Sequence, residues 1–253
     1  MGMARPLQSG HQARHKHVLC YSKVIAHFNL FSQSVPDNNM SIQSTSDPRH
    51  LLGLSPTALP LLDYLSQVAR LSGSDHVPDA EIKSYPDSLY KNYYSLGLSL
   101  MFVAKDGSKF IRDIDPESDN LVLDSIDIYN AEPEKEKSNS KDGSSPKHNY
   151  TSYPALPLVL SLLPTTDASK PRSNELIITA SSAGKEIVGA LGEPDRKGGG
   201  TGPSSGSINI WCEWVKDGIM VEFGGPNANG PHAWERGKDA KWRIITLFRD
   251  KAM

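Results

Sequence analysis

The chain has 253 residues, enough for one large domain or two small ones with a core of useful size. Its 27 Lys and Arg against 29 Asp and Glu leave a net charge of −2, which offers no electrostatic footprint for nucleic acid or an anionic membrane. No apolar run reaches the ~18 residues that a spanning helix needs, and the two cysteines, Cys20 and Cys212, make neither a disulfide framework nor a metal spacing, as in a reducing compartment.

Residues 1–48 hold Arg5, Arg14, Lys16 and Lys23 among His11, His15, His17 and His27, with no acid before Asp37. They read as a disordered leader. A basic, acid-poor start is also the mark of a mitochondrial transit peptide, so the expected location is cytoplasmic with mitochondrial as the alternative. A third reading puts the natural start at Met40. The histidines lack Cys or carboxylate partners and read as a solvated tail, not a metal site.

In residues 57–71, Leu61, Leu62, Leu65, Val68, Ala69 and Leu71 recur every three or four positions, the period of an amphipathic helix. Pro60 sits in its first turn and Gly73 follows its end. A short helical turn is expected over residues 79–83. Tyr90 to Tyr93 then lead through Ser95-Leu96-Gly97 into Leu98 to Phe102, a hairpin, and residues 121–129 (LVLDSIDIY) form a third strand. Residues 132–150 are mostly polar and Ser-rich and read as a flexible linker.

Residues 156–163 and 175–179 are short apolar runs and read as strands, followed by a helix over 183–191 capped by Ser181 or Ser182 and stopped at Gly192. The Gly-rich stretch 197–206 lacks the Gly-Lys-Ser/Thr ending and following helix of a phosphate-binding loop, so it reads as a mobile connection. Residues 208–223 alternate with period two on both sides of Lys216-Asp217-Gly218, which predicts a second hairpin with Cys212 facing inward. Residues 242–248 (WRIITLF) complete it with a third strand.

One offset of 121 residues relates Tyr90, Tyr93, Gly97 and Phe102 to Trp211, Trp214, Gly218 and Phe223. Pro86-Asp87 and Pro194-Asp195 precede the two hairpins, 108 residues apart. The expected class is therefore α+β. Two tandem pseudo-repeats, each a helix, a hairpin and a third strand, occupy residues 49–131 and 151–253 and merge into one continuous curved antiparallel sheet with helices on one face. In the second half, the helix ending VGALGEP (188–194), Trp211 and Trp214, and residues 218–223 resemble the helix-plus-sheet unit of beta-lactamase-inhibitor-type proteins and outer-membrane assembly lipoproteins. That resemblance covers about a quarter of the chain and implies a binding and assembly scaffold without catalytic residues.

Three sets of candidate site residues follow. Tyr90 and Tyr93, and likewise Trp211 and Trp214, are three apart, so on a strand one of each pair faces the core and the other is free to anchor a partner. His232, Trp234, Glu235 and Arg236 lie on a long connection, where binding residues concentrate. Asp87, Asp195 and Arg196 are the polar groups of an alternative pocket between the repeats, although Asp after Pro is commonly a turn residue. The expected function is a non-catalytic binding or assembly module for a protein partner. The alternative is a small-ligand-binding protein or hydrolase. No cofactor, metal, nucleic acid or membrane span is expected.

Overall fold

The computed structural model describes residues 47–110, 114–131, 149–164, 172–201 and 207–249. The expected leader, except its last two residues, and all but the end of the expected linker lie outside them. After a 3-10 turn at Pro48–Leu51 come helix α1 (Leu59–Leu71) and strands β1 (Glu81–Ser84), β2 (Leu89–Tyr93), β3 (Leu98–Ala104) and β4 (Leu121–Tyr129). A small hairpin of β5 (Leu158–Ser161) and β6 (Glu175–Ile178) and helix α2 (Gly184–Leu191) follow. Strands β7 (Arg196–Thr201), β8 (Ser207–Trp214), β9 (Ile219–Phe223) and β10 (Trp242–Phe248) complete the chain, with the short helix α3 (Ala233–Arg236) ahead of β10.

Eight strands make one antiparallel sheet in the order β1-β2-β3-β4-β10-β9-β8-β7. It consists of two four-stranded meanders whose last strands, β4 and β10, pair with each other from Ile244 opposite Tyr129 to Phe248 opposite Ser125. Period-two alternation decides which side is inside. Leu98, Leu100 and Phe102 of β3, Ile210, Cys212 and Trp214 of β8, and Ile219, Val221 and Phe223 of β9 are buried together. The α1 stripe of Leu61, Tyr64, Leu65, Val68 and Ala69 joins the same cluster, as do Ile187 and Leu191 of α2 and Leu158, Leu160, Leu176 and Ile178 of the small hairpin. Each fully buried side chain of this size contributes roughly 1.5–3 kcal/mol. Helices and small hairpin thus share one face of the sheet. None of the described helices is long and apolar enough to cross a membrane.

Several expectations are corrected. Residues 81–84 are an edge strand, not a helical turn, because their backbone pairs with β2 from Glu81 opposite Asn92 to Ser84 opposite Leu89. The first part of the Gly-rich stretch is likewise an edge strand, β7, paired with β8. The Pro-Asp pair leading into the first edge strand is Pro78-Asp79, whereas Pro86-Asp87 forms the turn between β1 and β2. The leader stops short of residue 47: Asp47 accepts hydrogen bonds from Arg49 and from the Ser161 amide (3.0 Å), and Pro48 is buried. The α2 cap is also different. Ser182 Oγ accepts the Thr179 amide (3.0 Å), while the Glu186 carboxylate accepts the Ala183 amide at 2.9 Å.

Candidate functional site: a tyrosine-lined cleft on the open sheet face

The face opposite the helices presents the other half of each alternation: Tyr90 and Asn92 of β2, Ser99 and Met101 of β3, Asp127 and Tyr129 of β4, Thr246 of β10, Met220 and Glu222 of β9, and Trp211 of β8. Over the first meander this face opens into a cleft of about 550 Å³. It is lined by Lys83, Tyr85, Pro86, Asp87, Ser88, Tyr90, Asn92, Tyr94, Ser99, Asp127, Tyr129 and Tyr150.

The floor is a polar row running strand to strand. Register places Asn92 opposite Ser99, Ser99 opposite Asp127 and Asp127 opposite Thr246. Asn92 Oδ1 accepts from Ser99 Oγ (2.8 Å) and from the Tyr150 hydroxyl (2.7 Å), and Thr246 Oγ1 donates to Asp127 Oδ1 at 2.7 Å. The walls are aromatic. Tyr150 stacks on Tyr129 with ring centroids 3.6 Å apart and 4° between planes, and leans on Tyr94 at 4.6 Å. Tyr85 meets Tyr90 edge to face at 5.7 Å. At the rim, the Tyr94 hydroxyl binds Glu81, and Lys83 Nζ lies 3.2 Å from both that hydroxyl and Glu81.

Tyr150 is carried there by a strap just beyond the linker. The Thr151 amide donates to the Tyr94 carbonyl (2.9 Å) and the Tyr153 amide to the Tyr129 carbonyl (2.9 Å), after which Tyr153 enters the core and its hydroxyl meets that of Tyr64 at 2.8 Å. The linker therefore ends before Tyr150.

Electrostatics follow from burial. Desolvation raises the Asp127 carboxyl above its ordinary value, opposed by the Thr246 hydrogen bond and reinforced by the charge of Glu222. Desolvation, with Asp127 second, pushes the Tyr129 hydroxyl far up, and burial raises Tyr90 and Tyr150 as well. The phenols therefore stay neutral, offering O–H donors and ring faces around one carboxyl group. Ser88 Oγ and Ser99 Oγ donate to Asp87 (3.2 Å) and Asn92 (2.8 Å), and among the described residues no histidine lines the cleft to serve either as a base. Among the described residues no three His, Cys, Asp or Glu side chains cluster as metal ligands would.

The residues singled out from sequence divide between faces. Tyr90 lines the cleft, and Trp211 shares its face at the far end of the sheet. Tyr93 and Trp214 are the core-facing members of their pairs. Tyr93 is buried, with burial pushing its hydroxyl up to about 12, and Trp214 is buried with its Nε1 donating to the Gly192 carbonyl at 3.0 Å. His232 is the residue before α3 and its Nδ1 lies 3.1 Å from Glu235 Oε2; Arg236 reaches the Asn229 carbonyl at 3.4 Å. Trp234 is 45% exposed, with Lys197 Nζ 5.9 Å from its ring. None of these four lines the cleft.

Asp87 does line it, but Asp195 and Arg196 do not. Asp195 accepts the Val215 amide at 2.8 Å, a turn role, and Arg196 pairs with Glu213 at 3.4 Å. Asp87 flanks β1 and Asp195 flanks β7, the two edges of the eight-stranded sheet. Six strands lie between those edges, and the cleft that Asp87 lines does not include Asp195.

Protein-family models, curated proteins and solved structures were compared with the chain, and none matches it.

Proposed function

We propose that the chain is a duplicated, non-catalytic binding module that receives an extended segment of a protein partner across its open sheet face. The observation that carries this reading is the asymmetry of the sheet. Helices and the small hairpin bury one face, while the other keeps part-exposed aromatic side chains over a polar floor. Aromatic anchors beside satisfied polar groups are the usual chemistry of recognition surfaces.

Duplication is supported by matched detail beyond the 121-residue offset. Gly97 and Gly218 both take positive φ (61° and 62°) between the second and third strands of their meanders. In both, a Cβ would strike backbone, 2.5 Å from the Thr151 carbonyl oxygen or 2.2 Å from that of Phe248. The carbonyls of the two glycines also accept an amide at 2.9 Å from the end of the fourth strand, Tyr129 to Gly97 and Phe248 to Gly218. A cytoplasmic location is part of the same reading, supported by the buried, unbridged Cys212, whose thiol burial pushes up to about 11.

The test is a quantitative pull-down from native extract with the full chain. Tyr90→Ala and Trp211→Ala should each lower the recovered partner at least tenfold, while Leu62→Ala on the exposed side of α1 leaves it unchanged. The same set of proteins recovered with all three variants sinks the reading. A second reading, a small-ligand site, is favoured by the cleft volume of about 550 Å³, within the ~300–1,000 Å³ of ligand pockets.

A further inference from the structure

Asp127 is the carboxylate of the cleft floor, and its own surroundings answer it only in part. Its Oδ1 accepts from Thr246, and among the described residues no other hydrogen bond reaches the carboxylate. Lys83, the cation on the cleft lining, is engaged at the rim by Glu81 and Tyr94. Arg243, on the neighbouring strand, is taken by Glu222 at 3.1 Å. A carboxylate set among phenol rings and short of donors is an acceptor for a positively charged donor, and the ring faces around it attract the same charge.

We propose that the cleft binds an organic cation, a guanidinium or alkylammonium group, with Asp127 as its counter-ion and Tyr90 and Tyr129 as its walls. The cation donates to Asp127 Oδ2 and lies against the Tyr90 ring and the Tyr129 face that Tyr150 leaves open, with Asp87 a second carboxylate on the lining. This rests on the reading of the open face as a docking surface and names the group that enters it. A partner's Arg or Lys side chain and a free small amine share this chemistry.

Binding depends on pH through a defined set of neighbours. Asp127 faces Thr246 and Glu222 from the second meander, Ser99 and Tyr129 from the first, and shares the cleft with Asp87, Lys83, Tyr90 and Tyr150. Burial raises its carboxyl and Glu222 adds to that, so affinity falls as pH drops through the raised value. Removing the charge at Glu222 moves that midpoint to lower pH.

The experiment titrates the isotope-labelled full chain with methylguanidinium and with n-butylammonium chloride against matched sodium chloride, followed by backbone NMR. Saturable shifts at Asn92, Ser99 and Asp127 are expected. Asp127→Asn weakens affinity at least tenfold, and Glu222→Gln displaces the pH midpoint downward. The pH profile of the wild-type chain needs no variant to fold. Absence of saturable shifts, Asp127→Asn within twofold of wild type, a pH-independent affinity, or saturation by a methyl glycoside in place of the cations overturns the proposal. A blocked Gly-Arg-Gly peptide binding at least tenfold tighter than methylguanidinium identifies a protein side chain as the source. Equal affinity identifies a free small cation, and either upholds the site. A negative titration beside a pull-down that still depends on Tyr90 and Trp211 removes the cation and leaves the docking face standing.

Discussion

The two meanders agree on their buried side and part company on the open one. Leu98, Leu100 and Phe102 in one, and Ile219, Val221 and Phe223 in the other, fill the same core. On the open side, the first meander has a cleft with an under-supplied carboxylate. In the second, the Trp211 indole lies so close on Gly198 that a Cβ there would sit 2.6 Å from the ring, and Glu222 Oε1 accepts from both Asn209 (2.9 Å) and Arg243 (3.1 Å). The second half thus seats its indole on the edge strand and gives its carboxylate an arginine partner, where the first half has a cleft. The comparison teaches that core residues hold a common frame, while the half of each strand that the core does not constrain is free to differ.

The sharpest break of that comparison contrasts neighbours three residues apart on β8. Trp214→Ala should cost about 3–5 kcal/mol in chemical denaturation, as for a large core truncation, while Trp211→Ala should cost roughly 1 kcal/mol or less. Equal losses would erase the distinction between faces. Next come the paired glycines. Gly97→Ala and Gly218→Ala should each cost about 3 kcal/mol, from left-handed backbone and collision with a neighbouring strand or strap. If one is tolerated, the two turns are not equivalent.

The smallest effect belongs to Asp127. Its folded-state value lies above the ordinary 3.8. Between those values the folded chain holds a proton that the unfolded chain has lost, so stability declines as pH rises through that window and then levels off. Asp127→Asn should flatten this dependence and raise the melting temperature at neutral pH by a few degrees. A variant melting lower at neutral pH, with the slope unchanged, would mean the carboxylate is not the desolvated group described.

Much of the frame is readable in the sequence. Both hairpins, α1, α2 and the short strands β5 and β6 announce themselves through period and punctuation, because each buries a face. The edge strands do not. In β1 all four residues are exposed, and β7 is mostly glycine and basic residues, so their signal lies in backbone pairing that no side-chain pattern records. The cleft was half visible. Tyr90 follows from strand alternation, but Asp127 and Tyr129 do not: alternation continued from Leu121 and Leu123 puts both inside. A register shift opposite Met101 and Phe102 absorbs one extra residue of β4, so that Ile126 and Ile128 turn inward and Asp127 and Tyr129 outward. Tyr150 was hidden by the polar stretch before it.

One consequence concerns synthesis. Of the eight strands β10 is synthesised last, yet it sits in the middle of the sheet between β4 and β9. Until it arrives, the nascent first meander carries β4 as an unmatched border of nine residues, Leu121–Tyr129, rich in aliphatic side chains. Such a border invites pairing with other chains, so premature termination before Trp242 should harm the first half of the molecule as much as the second.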